Sequence, residues 1–247
     1  MDRFVYIAAG GASAAMMRQA VTANNLANAT NTAFKQDFAS FVNREVEGPG
    51  FRSSSHTELQ GQGTDLKQGT IISTGNDLDV AINGDGWIAV QAKDGTEGYT
   101  RAGDLKITAT GQLVTGAGLA VKGNGGSIVI PQAEKVEIGA DGTVSIRPLG
   151  ESAANMAVVD RIKLVKPPED QLVKGLDGLM RIKDGSPAVV DASIGLIAGS
   201  LESSNVNPVN EMVRMIEMAR HFEMQMQMMK TAEQLDASSN QLLKLGG

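Results

Sequence analysis

The chain has 247 residues, a formal charge of −6, a pI near 5.0 and no cysteine. With 42% apolar and 20% charged residues it has material for one large domain or two ordinary ones. An acidic balance without a basic cluster disfavours nucleic-acid binding, and absent thiols exclude disulfides, thiol catalysis and cysteine metal sites. No apolar run reaches the roughly 20 residues of a membrane span, so membrane insertion is not expected.

The first segment, residues 1–35, reads as helix followed by a polar motif. "MDRFVYIAAGGASAAMM" imitates a secretory signal peptide, with one Arg, an uncharged run and Ala-Ser-Ala at 12–14. Against cleavage, Asp2 cancels the basic charge, Gly10-Gly11 interrupt the run, and helical patterning continues through Met16, Met17, Ala20, Val21 and Leu26. The helix is intrinsically weak. Gly10, Gly11 and the asparagines Asn24, Asn25 and Asn28 together oppose helicity by about 4 kcal/mol, so a partner must supply the order.

"TANNLANATNTAFK" (22–35) places Asn24, Asn28 and Asn31 on one helical face at i, i+4, i+7. Buried asparagine weakens a helical seam but fixes its register, which suits an interface. The alternative is that these amides cap a helix ending near Ala29, with Asn31 as the cap. Both readings stand at this level.

Residues 36–70, with "GPGFRSSS" and "GQGTDLKQGT", predict an extended connecting segment. From 71 to 200 the apolar period becomes two: "LDVAI", "WIAVQA", "LKITA", "SIVI", "KVEIG", "TVSIR", "MAVVDRIKLV" and "LMRI". Turn clusters such as "NGDG", "KDGT", "GADGT" and "GLDG" separate the runs, predicting an all-β domain without crossover helices. The closing segment, 201–247, returns to helix from Pro208 to about 244, with Ser or Asn as cap. Met212, Met215, Ala219, Phe222, Met226 and Met229 follow at 3-4 spacing, the seam of a coiled coil, and the stripe shifts afterwards to Leu235 and Leu242. The predicted fold is thus mainly β, an all-β central domain inserted between N- and C-terminal α-helices that pair in a coiled-coil-like rod assembly.

Several motifs suggest chemistry and lack its context. "GDGWIA" (84–89) matches a dinucleotide fingerprint, but it leads into a strand rather than a helix N-terminus, and Trp87 would crowd a phosphate; a hairpin turn is the better account. His56 and His221 have no metal-site spacing. No nucleophile elbow accompanies the serines, Asp77, Asp79 and Asp85 form no calcium loop, and the terminal "LGG" reads as a frayed helix end. No cofactor is expected.

Three ordered blocks carry a family resemblance over almost the whole chain. "ANNLANATNTAFK" resembles the signature of the flagellar axial proteins (rod, hook and hook-associated), which runs close to Ala-Asn-Asn-(Leu/Ile)-Ala-Asn-x-x-Thr-x-Gly-(Phe/Tyr)-(Lys/Arg). "LDVAINGDGWIAV" with "GYTRAGDLKITATGQLVTGAGLAV" is similar to the family's β domain, and "LESSNVNPVNEMVRMIEMARHFE" to its C-terminal signature. Ala33 stands where the family has Gly, so a positive backbone angle is less accessible and the helix could run on toward Phe34. The resemblance implies a non-enzymatic structural subunit of the basal-body rod, in its proximal part or alternatively its distal part. It implies export by the flagellar type III apparatus without a cleaved signal, a site in the rod spanning the periplasm, and neighbouring rod subunits and further copies as partners. The residues it offers for assembly are Asn24, Asn25, Leu26, Asn28, Phe34, Asn205 and Val206, with the seam from Met212 to Met229. A secreted glycan-binding β module on a helical stalk and an enzyme with an unrecognised site are the competing readings.

Overall fold

The computed structural model describes residues 2–45, 55–148, 150 and 156–245, arranged as two compact units. The first comprises residues up to 27, 37–65 and from 207 on; the second comprises 28–36 and 66–206.

In the first unit, α1 (Asp2–Ala27) packs against both strands of a hairpin, β1 (Asp37–Glu45) and β2 (Ser55–Thr64), and against the C-terminal helix. The buried stripe of α1 runs through Ala8, Ala12, Ala15, Thr22 and Asn25, small residues at helical spacing. A Cβ on Gly11 would lie 3.0 Å from the Gln225 amide, so glycine at this point lets the two helices approach closely. The glycine that weakens α1 in isolation therefore serves its packing. Met16 and Met17 face outward.

The segment expected to be connecting chain is extended, and its two halves pair antiparallel, with a register shift between Ser40 and Phe41. Phe38 lies over Gly63, where a Cβ would come within 2.5 Å of its ring. That cover compensates for a side chain that glycine lacks. "GPGFRSSS" up to Ser54, the side chains of His56 and Leu242, and the terminal Gly-Gly lie outside the described residues.

The second unit is antiparallel throughout. Its strands are β3 (Ile71–Ser73), β4 (Val80–Asn83), β5 (Trp87–Gln91), β6 (Glu97–Thr100), β7 (Leu105–Ile107), β8 (Leu113–Thr115) and β9 (Ala120–Val121). There follow β10 (Ala133–Ile138), β11 (Thr143–Pro148), β12 (Ala157–Arg161), β13 (Leu164–Val165), β14 (Leu172–Lys174), β15 (Met180–Ile182), β16 (Gly195–Ala198) and β17 (Ser200–Glu202). The main sheet runs β14-β15-β6-β5-β9-β8-β7, with β13 also on β5; β10-β11-β12, β16-β4 and β17-β3 form smaller sheets. Central β5 is buried on both faces. Ile88 and Val90 enter the main core with Val80, Ile82, Leu105, Leu113, Val144 and Leu164, while Trp87 and Ala89 join Tyr99, Val165 and Met180 on the other side. Burial raises the Tyr99 phenol to about 12, where its oxygen accepts the Ala188 N–H at 2.7 Å.

The expected hairpin at "NGDG" is corrected. β4 pairs with β16, whereas β5 pairs with β6, β9 and β13, so the loop carries the chain from one sheet to another. "SIVI" forms only isolated bridges at Ser127 and Val129.

The C-terminal α2 (Pro208–Leu245) begins where the sequence placed it. The Asn207 carboxamide accepts the N–H groups of Val209 and Asn210 at 3.0 and 3.1 Å, and Pro208 opens the first turn. Its 38 residues span about 57 Å at 1.5 Å per residue. Met215, Ala219, Phe222 and Met229 are half-buried, and the stripe ends on buried Ala232. Leu235 is 56% exposed, so the expected shift of the stripe toward it does not occur.

Candidate functional site

The amide cluster resolves into different roles. Asn25 is the buried member, 2% exposed, and its side chain clasps the backbone of Asp37 from both sides. Nδ2 donates to the Asp37 carbonyl at 2.8 Å and Oδ1 accepts the Asp37 N–H at 2.9 Å, tying α1 to the start of β1. Asn24 is exposed, and Leu26 and Asn28 are part-buried. The helix ends at Ala27, and Asn28 receives two bonds from Asn31: backbone N–H to carbonyl at 3.1 Å and Nδ2 to Oδ1 at 2.7 Å. Asn31 thus closes the turn after the helix.

With that turn the chain enters the second unit, where a buried ion triad gathers all three resemblance blocks. Glu202, fully buried, accepts Lys35 Nζ on Oε1 at 2.7 Å and Arg101 Nε on Oε2 at 2.7 Å, with the Gly69 N–H also on Oε1 at 3.0 Å. Lys35 ends the first block, Arg101 lies in "GYTRAGD", and Glu202 opens "ESSNV". Arg101 extends the network, donating from Nη2 and Nη1 to the carbonyls of Gly84 and Gly86 at 2.9 and 2.8 Å. The loop that imitates a nucleotide fingerprint is thereby filled from within the protein.

Residues 33–36 lie along this network almost as a bound peptide. The Ala33 N–H donates to the Glu202 carbonyl at 2.8 Å, and the Phe34 carbonyl accepts the Asn205 N–H at 3.2 Å. The Asn205 carboxamide accepts the Gln36 N–H at 2.8 Å and donates to the Lys67 carbonyl at 3.1 Å. Lys174 Nζ sits 4.0 Å from the Phe34 ring centroid and donates to the Lys35 carbonyl at 2.9 Å. Val206 is buried just beyond. Of the residues proposed for assembly, Phe34 and Asn205 therefore serve this intramolecular clasp, Val206 is buried with its N–H on the Ser204 hydroxyl, and Asn25 serves the clasp in the first unit.

Ala33 has φ 54°, so the positive angle that its side chain disfavours is adopted and the helix does not run on. The hydrogen bonds on either side hold it there. A left-handed non-glycine residue costs about 1–2 kcal/mol, partly offset by glycine's larger entropy loss on folding. Ala33→Gly is expected to stabilise the second unit by about 0.5–1 kcal/mol on these grounds, seen as a higher midpoint of Trp87 fluorescence in urea. An unchanged or lower midpoint would show that the conformation carries no strain.

The predicted seam residues Met212 and Met226 are 51% and 46% exposed, and Val209, Val213, Ile216, Met224 and Met228 also present apolar surface to solvent. One side of α2 packs on α1; Val209, Met212, Val213 and Ile216 make an outward apolar patch over its first turns, and Met224, Met226 and Met228 are exposed singly beyond it. Sequence periodicity marked the half-buried Met215, Ala219, Phe222 and Met229, but also Met212 and Met226, which are exposed. The triad was legible only as charged residues inside apolar-flanked motifs, and its three members lie far apart in sequence.

Among the described residues no cluster of His, Asp or Glu is placed to hold a metal ion, and no helix is long and apolar enough to cross a membrane. His221 is exposed. Paired terminal helices with an outward apolar face, and a β unit that holds its own entering segments by buried ions, define a structural assembly subunit. The family model described as flagellar hook protein FlgE/F/G D1 domain matches residues 81–146, and that described as flagellar basal body rod FlgEFG protein C-terminal matches 197–242. The flagellar basal-body rod protein FlgF of Salmonella typhimurium is 39% identical, covering 99% of this chain and all of the relative; FlgF of Escherichia coli gives the same figures. FlgG of Agrobacterium fabrum is 32% identical over 98% of the chain. The chain belongs to the flagellar basal-body rod protein family and is most like its FlgF members. It is a structural subunit of the flagellar basal-body rod, assembling with other rod proteins.

Proposed function

We propose that this subunit builds the proximal part of the rod, associating with its own copies and with unlike rod proteins through the outward faces of α1 and α2. The observation that carries this reading is the outward apolar patch of α2, with Val209, Met212, Val213 and Ile216 each more than half exposed. An apolar surface on a helix already packed along one side is suited to a coiled-coil-like contact with further helices. Met212 in this patch, like the exposed methionines further along α2, has a side chain that adapts to dissimilar neighbours. Asn24 in the last turn of α1 and Asn28 just past its end are the amides proposed to fix register in that contact. We further propose export through the flagellar type III apparatus without cleavage of α1, and a final position within the rod that spans the periplasm.

Val213→Glu with Ile216→Glu is the direct test. Both positions are exposed, so helicity and the Trp87 melting curve should match the parent protein. Charge introduced into an apolar contact should lower association by more than about a hundredfold, and a deletion strain carrying the variant should not swim. Normal swimming would reject the outward face as an assembly surface. Placement is tested separately by electron microscopy of basal bodies from the deletion strain. Rods stopped at the proximal part are expected; rods that lack only their distal part would favour the distal reading, which the FlgG similarity keeps in view.

A further inference from the structure

The chain has no cysteine, and its methionines are unevenly placed: seven of the twelve lie between 212 and 229. On α2, Met212, Met224, Met226 and Met228 are between 42% and 51% exposed. On α1, Met16 and Met17 are 58% and 48% exposed; in the second unit Met156 is 38% exposed and Met180 only 3%, within the core. A thioether is the most readily oxidised group left in a thiol-free protein, and its accessibility decides the order of reaction.

We propose that the exposed methionines of α2 form an oxidant-sensitive site, at which two-electron oxidants of the hypochlorous acid class block assembly of the free subunit. Each thioether sulfur takes one oxygen atom and loses two electrons. The chlorine is reduced to chloride, and one proton is released. The product sulfoxide is polar and chiral where the thioether was apolar and pliable, and it resists burial in a helix contact. Assembly through α2 would cover these side chains, so the sensitive form is the subunit before incorporation. This inference rests on the outward face of α2 being an assembly surface.

Two measurements test it. Purified full-length protein is treated with substoichiometric hypochlorous acid, and sulfoxides are mapped by peptide mass spectrometry. Met212, Met224, Met226 and Met228 are expected to react well before Met180, and equal reaction of Met180 would overturn the site. A deletion strain is then complemented with the four positions changed to Gln, which mimics sulfoxide polarity, or to Leu. The Gln variant is expected to swim about tenfold less well than the Leu variant, which keeps the four positions apolar, the difference being the effect of roughly one poorly accommodated polar group. Normal swimming by the Gln variant overturns the inference. Failure of both variants does so too, because polarity would then not be what decides. Failure of the underlying assembly reading appears elsewhere, as normal swimming by the Val213→Glu, Ile216→Glu protein.

Discussion

Glu202→Ala is expected to destabilise the second unit by about 3–5 kcal/mol, the typical cost of breaking a buried ion pair by removing one partner. The carboxylate is fully buried and serves Lys35, Arg101 and the Gly69 N–H, all within 3.0 Å. Alanine withdraws all of these at once and leaves a cavity among cations that water reaches poorly. Both cations are only 4% exposed, so solvent cannot take over the lost interaction. For a unit of this size the loss corresponds to a melting decrease of roughly 10 °C. The chain's single tryptophan, Trp87, lies in this unit with Arg101 5.8 Å from its ring centroid, so its fluorescence follows the site. Glu202→Gln preserves shape and one acceptor and should cost less than alanine. A fluorescence midpoint for Glu202→Ala within 1 kcal/mol of the parent, roughly the worth of an exposed ion pair, would show that the triad is not a stabilising centre. Swimming should fail in the alanine strain even where some protein remains folded, because the residues the triad holds include the segment that follows α1.

Local signals made much of this architecture readable. Short apolar runs between turn clusters marked β5, β11 and β15, and the 3-4 stripe with a Ser or Asn cap before Pro208 marked α2 almost to the residue. What escaped was non-local. β16 and β17 lie in "GLIAGSLE", where Gly199, at φ 69°, ends one two-stranded pairing and begins another; their registers depend on β4 and β3, more than a hundred residues away. The β1-β2 hairpin was hidden because glycines interrupt the alternation of its second strand, and Phe38 across the pair supplies the missing cover. The hairpin at "NGDG" was a reasonable local inference, overruled by β16 capturing β4. At the site, Lys35, Arg101 and Glu202 each look like a solvated charge when read alone. Only the pairing of β17 with β3 and the path of residues 33–36 make them neighbours. Ala33 shows the same logic in the backbone: two hydrogen bonds to residues beyond 200 impose an angle its own side chain disfavours.

Asn25→Leu is expected to unfold the helical unit selectively, and its outcome distinguishes among the amides of the first block. A register-fixing role in an interface would make leucine at Asn24 or Asn28 strengthen association while blurring its specificity. The geometry assigns Asn25 a different job. Its buried carboxamide satisfies both peptide groups of the half-buried Asp37. Leucine offers neither bond, and each buried polar group deprived of its partner costs about 1–3 kcal/mol, so a total of about 2–4 kcal/mol is expected. Asn25→Asp should be no rescue, since a second oxygen would then face the Asp37 carbonyl. Both α-helices of the described residues belong to the first unit, so far-ultraviolet circular dichroism reports on it while Trp87 fluorescence reports on the second. The expected result is a lowered helical transition beside an unchanged fluorescence transition, with Asn24→Leu close to the parent in both. Coincident loss of both signals would mean that the clasp stabilises the whole chain cooperatively. A helical transition unmoved by Asn25→Leu would rule out the clasp as a source of stability and return the buried amide to the interface reading.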